Sequence, residues 1–314
     1  MIESISLAGS VAIVTGAGAG LGRAHAIELA ARGASLVVND VNESAADSVV
    51  AEIRSRGGHA VAAYDSVATP VGGQRIVDAA LDQFGSLDIL VNNAGFARNA
   101  PFDRLTVAEL DAVLDVHLRG AVFVTQPAWR VMKRAGYGRV VMTSSGAGAF
   151  GRPSGANYCA AKAGLLGLTA SLALEGATAG IHTNCILPVA ATEFVARSPL
   201  LGDDAERLRE VFDRAGGRRE PERVTALVVY LASHECDVNG EIFSICFGRY
   251  ARAFVGLTRG WISGGDEIPS AELVRDRVGA IRDLGAIDVP RSLFDEFEQA
   301  AARVSGATAV SGAK

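Results

Sequence analysis

The chain has 314 residues, of which 49% are hydrophobic and 21% charged, and its formal net charge is −5. This length and composition allow one large domain or two modest ones with a sizeable core, and they exclude a generally disordered chain. Acidic and basic residues are interspersed, so no basic block indicates a nucleic-acid partner and no cationic amphipathic stretch indicates a membrane surface.

The N-terminal residues and the cysteines together predict the cellular compartment of the protein. Residues 1–16, MIESISLAGSVAIVTG, lack a cationic start followed by a long apolar region, so no signal peptide is predicted. No apolar run reaches ~20 residues, which argues against a membrane span. The four cysteines show no C-x-x-C or His–Cys spacing, so we expect reduced core residues and no metal site. A cytoplasmic protein is predicted.

Short β-branched runs alternate with longer helical patterns along most of the chain. Nearly unbroken Val, Ile and Leu are typical of parallel strands that are buried on both faces. A series of right-handed βαβ units predicts an α/β domain with a doubly wound parallel sheet of about seven strands, a Rossmann fold. We expect strands at 11–15, 35–39, 60–64, 88–92, 139–143, 182–187 and 241–246, and helices at 21–32, 44–56, 71–84, 106–134, 156–178 and 221–233.

The chain after the last predicted strand differs in character. Residues 1–247 are predicted to form a single domain, and residues 248–314 are predicted to form a C-terminal extension. The extension is expected to contain a hairpin or extended arm, helices at 270–284 and 291–303, and a disordered tail. Within the domain, the long segment 188–220 is predicted to be a lid over a ligand.

A glycine-rich turn joins the first predicted strand to the first helix. Its glycines leave the N–H groups of the helix N-terminus open to a pyrophosphate, because no Cβ blocks the approach. Asp40 ends the second strand about 20 residues on, where a carboxylate would accept hydrogen bonds from both ribose hydroxyls and repel a 2′-phosphate. This predicts NAD rather than NADP, with a plain turn residue as the alternative role of Asp40. The expected contacts in the turn are Gly16, Ala19, Gly20, Leu21 and Gly22.

Tyr158 and Lys162 are four residues apart and therefore share one face of the predicted helix 156–178. A free tyrosine, with pKa ~10, is a poor base near neutrality. The Lys162 ammonium one turn away, together with a cationic nicotinamide, would favour the phenolate and lower that pKa. Ser145, at the end of a strand, would hydrogen-bond the substrate oxygen and stabilise developing charge. Its neighbour Ser144 is the alternative.

Four motifs occur in order along the chain. They are Thr15-Gly16-x-x-x-Gly20-x-Gly22, NNAG at 92–95, Ser145 thirteen residues before Tyr158, and Tyr158-x-x-x-Lys162. Together they resemble the short-chain dehydrogenase/reductase family, although none of them does so alone. The resemblance covers about residues 5–247, and it implies an oxidoreductase that transfers a hydride between a nicotinamide cofactor and a carbonyl carbon.

The resemblance also implies roles for individual residues. The thirteen-residue spacing to the tyrosine favours Ser145 over Ser144 as the catalytic hydroxyl. The adenine is expected near Asp65 and Ser66. The cofactor's far ribose is expected beside Asn92, Ala94 and Gly95, with Tyr158 and Lys162 also in contact.

The chain departs from the family pattern at two points. In the long fourth helix, LDAVLDVHLRGAVF places His117 where the family has an asparagine. In the family this residue accompanies a local helix distortion whose backbone carbonyl holds a water joined to the lysine. We expect His117 to support that relay and count it as catalytic; the alternative is core filling. After the sixth strand, PVAAT places Thr192 four residues after the proline instead of five, which weakens a predicted contact with the nicotinamide amide.

Several longer stretches are together similar to the 3-hydroxyacyl-CoA dehydrogenase domains of the type 2 peroxisomal multifunctional enzymes. These domains also carry His in DVHLRG and use NAD. Only the dehydrogenase step is expected of this chain, because the sequence carries no hydratase or sterol-carrier domain. The stretches are TGAGAGLGRAHAIELAARGASLVVND, AYDSV, DVHLRG, RVVMTSSGAGAFG and ANYCAAKAGLLGL.

Three functions follow from the sequence. The first is an NAD-dependent dehydrogenase for 3-hydroxyacyl-CoA or a similar secondary alcohol. The second is a reductase or dehydrogenase for a steroid or another bulky ketone, with the same fold and catalytic residues. The third is a nucleotide-sensing protein without turnover. The family resemblance also implies a homodimer or homotetramer that uses the later turns of helix 156–178, and a small-molecule substrate as the other partner.

Overall fold

The chain folds into two compact units, Met1–Arg252 and Ala253–Lys314. Among the described residues, no helix is both long enough and apolar enough to cross a membrane. The structure, a computed structural model, describes residues 4–191, 203–215, 218–263 and 268–305.

The first unit is built on an eight-stranded sheet. Its strands are β1 (Val11–Thr15), β2 (Ser35–Asn39), β3 (Ala60–Ala63), β4 (Ile89–Asn92), β5 (Gly138–Thr143), β6 (Ile181–Pro188), β7 (Ile242–Cys246) and β8 (Arg249–Ala253). They lie in the order β3-β2-β1-β4-β5-β6-β7-β8, and every pair from β3 to β7 is parallel. Every residue of β1, β4 and β5 is buried, as expected for parallel strands covered on both faces. The predicted doubly wound α/β fold is confirmed.

Helices connect these strands and cover the sheet. They are α1 (Gly20–Ala31), α2 (Glu43–Ser55), α3 (Pro70–Phe84), α4 (Val107–Leu114), α5 (Gly120–Ala135), α6 (Gly146–Phe150), α7 (Ala156–Gly176), α8 (Asp203–Arg214) and α9 (Pro221–Ala232), with short 3₁₀ turns at Phe102–Arg104 and Ala177–Ala179. Side-chain caps start several of them; Asn42, for example, accepts from the N–H of Ala45 at α2, and Thr69 accepts from the N–H of Gly72 at α3.

The strand order places the candidate residues at one edge of the sheet. The chain runs outward from β1 to β3 and then returns to β4 on the other side of β1. Such a reversal opens a crevice at the carboxyl ends of the strands, where ligands bind in doubly wound sheets. The glycine turn after β1, Asp40 after β2, NNAG at the end of β4 and Ser145 after β5 all lie at this edge.

The predicted helix 106–134 is divided by a π-helical segment, Asp115–Arg119, between α4 and α5. The N–H of Gly120 donates to the Asp115 carbonyl, five residues back. Insertions of this kind concentrate at functional sites. The local distortion expected around His117 is therefore present.

The eighth strand lies in the segment where the sequence predicted a hairpin or arm. It follows β7 after Phe247 and Gly248, which both have positive φ, 55° and 84°. Two such residues form a type I′ turn, whose twist matches that of paired strands. The segment therefore continues the sheet by one strand.

The second unit contains short elements. Helices α10 (Ala271–Ile281) and α11 (Leu293–Val304) begin at the side-chain caps Ser270 and Ser292. Strands β9 (Leu257–Thr258) and β10 (Ile287–Asp288) pair antiparallel. The predicted disordered tail, Thr192 and much of the predicted lid lie outside the described residues.

His25 is fully buried in α1 and bonds to α9. Its Nδ1 lies 2.7 Å from Thr225 Oγ1, which itself donates to the Pro221 carbonyl at 3.1 Å. The hydroxyl therefore accepts from Nδ1–H. Burial lowers the pKa of His25 to about 3, so this imidazole stays neutral near neutral pH.

Candidate active site

The glycine turn forms a cradle that side chains would fill. Gly16 has φ of +62°, and a Cβ there would lie 2.7 Å from Ala94 Cα. A Cβ on Gly22 would lie 2.2 Å from the Gly16 carbonyl oxygen. Ala19 caps α1 without a side-chain acceptor, and the first turn of α1 contains no acidic residue. The N–H groups at this helix start are open to an anion, which fits a cofactor pyrophosphate.

Asp40 is fixed beside this turn by two main-chain donors. Its Oδ2 accepts from Gly18 N–H and its Oδ1 from Asn42 N–H, both at 2.9 Å. A Cβ on Gly18 would lie 2.8 Å from Oδ2, so the carboxylate packs directly on the glycine. Each carboxylate oxygen keeps a second lone pair. The carboxylate can therefore accept hydroxyl hydrogen bonds while it holds the turn.

The NNAG segment ties β4 to the glycine turn. Asn92 is buried, and its Nδ2 donates to Thr125 Oγ1 at 2.8 Å, so its side chain points into the protein. Asn93 Nδ2 donates to the carbonyls of Thr15 and Gly16 at 2.9 and 3.1 Å. Thr15 Oγ1 accepts from the N–H groups of Asn93 and Ala94 at 3.0 and 3.1 Å. The two loops that border the crevice are thus locked together.

Asp65 and Ser66 follow β3 at the far side of the crevice. Asp65 pairs with Arg75 at 3.3 Å, and its carbonyl accepts from Asn39 Nδ2 at 2.9 Å. Ser66 Oγ accepts from Ala68 N–H at 3.2 Å. Their predicted contact with the adenine stays a prediction.

Ser145, Tyr158 and Lys162 converge at the ends of β5 and α7. Ser145 hydrogen-bonds Tyr158 and caps α6 by accepting from Ala147 N–H at 3.2 Å. Lys162 Nζ donates to the Thr143 carbonyl at 2.5 Å and lies 5.8 Å from the Tyr158 ring centre. The rival hydroxyl of Ser144 instead donates to the Lys162 carbonyl at 2.7 Å. Ser145 is therefore the serine that contacts Tyr158, whereas Ser144 forms a hydrogen bond with the main chain of α7.

Burial is the main cause of the pKa shifts of Tyr158 and Lys162 in the protein without cofactor. It raises the pKa of Tyr158 above its usual 10, against the hydrogen bond from Ser145 and the charge of Arg152, which lower it. Burial also lowers the pKa of Lys162 to about 8. In the protein alone, desolvation of the phenolate therefore outweighs the nearby positive charge. The expected lowering of the Tyr158 pKa by Lys162 together with a cationic nicotinamide stays a prediction.

His117 bonds to the main chain that follows NNAG. Its Nε2 lies 2.5 Å from the Phe96 carbonyl oxygen and 3.0 Å from the Phe96 nitrogen. Its ring meets Tyr158 edge-on at 5.3 Å between centres. Gly95 makes room for it, since a Cβ there would lie 2.2 Å from His117 Cε1. These contacts are those of a positioning residue, and direct catalysis by His117 stays a prediction.

A small cavity lies beside the π-helical segment. Its volume is about 10 Å³, and His117, Asn92 and Lys162 are among its lining residues. This is about the room that one water needs. The space for the predicted water relay is present between the π-helical segment and Lys162.

Comparison with known proteins agrees with this geometry. The family model described as short chain dehydrogenase matches residues 10–198. The chain belongs to the short-chain dehydrogenase family. It is 41% identical over 303 residues to the mouse peroxisomal multifunctional enzyme type 2, covering 93% of this chain and 39% of that one. It is 40% identical over 258 residues to the hydroxyacyl-CoA dehydrogenase ChsB1 of Mycobacterium tuberculosis, covering 77% and 79%.

A solved structure of the same group matches nearly the whole short-chain dehydrogenase described here. The full-length peroxisomal multifunctional enzyme type 2 of Drosophila melanogaster superposes with a TM-score of 0.79 and 32% identity, covering 96% of this chain and 50% of that one. The present chain thus spans 39% of the mouse enzyme and 50% of the Drosophila enzyme. The resemblance read from the motifs is confirmed.

The sequence motifs did not predict the roles of two residues of this dehydrogenase's site. Asn93 fastens the glycine turn, although only its three neighbours in NNAG were expected at the cofactor. Arg152 lies with its guanidinium 5.5 Å from the Tyr158 ring centre. Both roles depend on contacts between loops that are distant in sequence; the only local signal for Asn93 was its place inside NNAG.

The buried imidazoles of the dehydrogenase make its stability depend on pH. His25 and His117 have pKa values of about 3 in the folded chain, against 6.5 ordinarily. Below pH 6.5 the unfolded chain binds protons that the folded chain does not, so the free energy of unfolding falls as pH drops from about 6.5 toward 3. We expect each imidazole to remove about 2 kcal/mol at pH 5, measured by chemical denaturation against pH 7.

The variant His25→Gln separates this effect from general acid sensitivity. It should flatten the dependence of unfolding free energy on pH. The same slope in His25→Gln and in the unaltered protein would contradict this account.

Proposed function

We propose that this short-chain dehydrogenase is an NAD-dependent oxidoreductase that interconverts a secondary alcohol and a ketone, with 3-hydroxyacyl-CoA and 3-oxoacyl-CoA as its substrate pair. The single observation that carries the proposal is the convergence of Ser145, Tyr158 and Lys162 beside the glycine turn and Asp40. Hydroxyl, phenol and ammonium at the crevice of a dinucleotide-binding sheet are suited to proton exchange at a carbinol oxygen.

Asp40 supports the choice of NAD over NADP. Its carboxylate is held beside Gly18 with lone pairs left to accept from ribose hydroxyls. A 2′-phosphate at that position would face this negative charge. The open N–H groups at the start of α1 would hold the pyrophosphate. Bound in this crevice, NAD supplies the hydride acceptor.

The side chains would divide the proton chemistry. Ser145 Oγ would donate to the substrate oxygen and hold it at the Tyr158 hydroxyl. Tyr158 would take the alcohol proton during oxidation and return it during reduction. Because burial raises the pKa of Tyr158, it holds its proton near neutral pH until more positive charge enters the site. Lys162, beside the tyrosine and the small cavity, would stabilise the phenolate and pass the proton on.

The acyl-CoA substrate is supported by similarity to enzymes of that chemistry. A relative with 40% identity is named hydroxyacyl-CoA dehydrogenase. Fold and catalytic residues would be the same for a bulky-ketone enzyme, so the substrate is decided by the pocket walls. Cytoplasmic location and a homodimer or homotetramer remain part of the proposal; the multifunctional relatives carry "peroxisomal" in their names.

A substrate screen with purified protein and NAD tests the function. We expect the highest kcat/KM for 3-hydroxybutyryl-CoA, compared with a 17β-hydroxysteroid and 2-propanol, measured by NADH absorbance. A higher kcat/KM for the steroid would show that the substrate is a bulky alcohol and not an acyl-CoA. Binding of NADH without turnover of any substrate would support the nucleotide-sensing alternative.

A further inference from the structure

Arg152 joins two loops that border the candidate site. It lies between α6 and α7, and its Nη2 donates to Asn99 Oδ1 at 2.5 Å, in the segment after NNAG. Its guanidinium carbon lies 5.5 Å from the ring centre of Tyr158. A permanent positive charge is therefore held beside the tyrosine. The arginine belongs to the loop between α6 and α7, and its acceptor Asn99 belongs to the loop that follows β4.

The loop around Arg152 is shaped to receive this guanidinium. A Cβ on Gly155 would lie 2.7 Å from Arg152 Cζ and 2.8 Å from Nη2, so a side chain there would displace the group. Ser154 has φ of +53°, a conformation that is uncommon for a residue with a side chain. The turn thus folds the arginine back over the start of α7.

One hydrogen-bond donor of this arginine is unpaired among the described residues. Nη1 is buried and, among the residues that the structure describes, has no hydrogen-bond partner. A buried donor without a partner is costly, and more so when it is charged. Such a group beside the candidate catalytic tyrosine is explained if a bound molecule supplies the acceptor.

We propose that Arg152 is a specificity-determining residue whose Nη1 donates to the acyl carbonyl oxygen of the substrate. The proposal rests on the function proposed above. With the C3 oxygen of the substrate at Ser145 and Tyr158, the thioester carbonyl at C1 is the next acceptor along the chain. A simple secondary alcohol or ketone lacks that acceptor and leaves Nη1 unpaired. Sites built to pair a polar group discriminate against analogues without it.

The test compares two ketones in the unaltered protein and in Arg152→Gln. Acetoacetyl-CoA carries the second carbonyl, and trans-1-decalone does not. A hydrogen bond from a charged donor is worth about 1.5–3 kcal/mol, so the ratio of kcat/KM for acetoacetyl-CoA over decalone should fall about 10- to 100-fold in Arg152→Gln. Arg152→Lys keeps the charge but lacks the fork of donors, and should recover part of that ratio.

Controls separate this role from folding and from electrostatics at Tyr158. Thermal unfolding and NADH binding check that Arg152→Gln is folded. Arg98→Gln removes one positive charge from the neighbouring loop, where the guanidinium lies over Phe96, and should leave the ratio unchanged. An equal loss for both ketones in Arg152→Gln would assign Arg152 to the tyrosine alone and overturn the proposal.

Three further outcomes overturn the proposal when free acetoacetate is added to the assay as a third substrate. Unaltered protein that prefers free acetoacetate to acetoacetyl-CoA would assign Nη1 to a carboxylate instead of a thioester carbonyl. Unaltered protein that reduces no acetoacetyl-CoA would overturn both this proposal and the proposed function. An unchanged ratio in Arg152→Gln, with acetoacetyl-CoA still reduced by the unaltered protein, overturns the role of Arg152 alone.

Discussion

Replacing Tyr158 by phenylalanine is expected to lower kcat by about 10³-fold, because the site loses the group that exchanges a proton with the substrate oxygen. The ring and its packing against His117 and Lys162 would remain, so the fold and the cofactor crevice should be kept. Steady-state turnover of acetoacetyl-CoA with NADH measures the loss. Binding of NADH, followed by fluorescence, should stay within a few-fold of the unaltered protein.

A second tyrosine provides the matched control. Tyr230 lies in α9, and its hydroxyl donates to Asp237 Oδ1 at 2.9 Å. Tyr230→Phe removes the same atom and one hydrogen bond outside the site, so turnover should be unchanged. Full activity in Tyr158→Phe would remove the catalytic assignment, and loss in both variants would point to stability instead.

Replacing Asp40 by alanine is expected to lower the preference for NAD over NADP by about 100-fold in kcat/KM. The carboxylate would no longer accept ribose hydrogen bonds, each worth about 1.5–3 kcal/mol for a charged acceptor, and would no longer repel a 2′-phosphate. Kinetics with both cofactors at one fixed substrate concentration give the ratio.

Asp78→Ala serves as the control for charge. Asp78 lies in α3 and pairs with Gln74 at 2.8 Å, so its loss changes net charge by the same amount away from the glycine turn. Its cofactor preference should equal that of the unaltered protein. Equal use of NADP and NAD by the unaltered protein would contradict the role given to Asp40.

Most residues of this site were predicted from the distance in sequence between a residue and a nearby strand end or helical turn. A strand end fixes the position of the glycine turn and of Asp40, and one helical turn relates Tyr158 to Lys162. These positions follow from secondary structure alone and do not depend on how the side chains pack. The π-helical segment at His117 was expected only through family resemblance, because helical periodicity does not indicate a five-residue hydrogen bond.

Contacts between distant segments could not be predicted in the same way. Asn93 and Arg152 act through partners that only the tertiary fold brings near, namely Thr15 and Asn99. A hairpin or arm was predicted from Phe247 on, but its place as an eighth strand of the main sheet was not, because Phe247–Gly248 lacks the Asn-Gly signal of a type I′ turn. The raised pKa of Tyr158 likewise follows from its burial, which no motif reports.

Transfer of deuterium from NADH that carries two deuterium atoms at C4 to acetoacetyl-CoA tests the central claim most directly. Mass spectrometry of the product reports whether a hydride has moved to the substrate carbon. We predict 3-hydroxybutyryl-CoA that carries deuterium at C3, formed by the unaltered protein and not detectably by Tyr158→Phe. Unlabelled product, or no product from protein that binds NADH, would contradict the account.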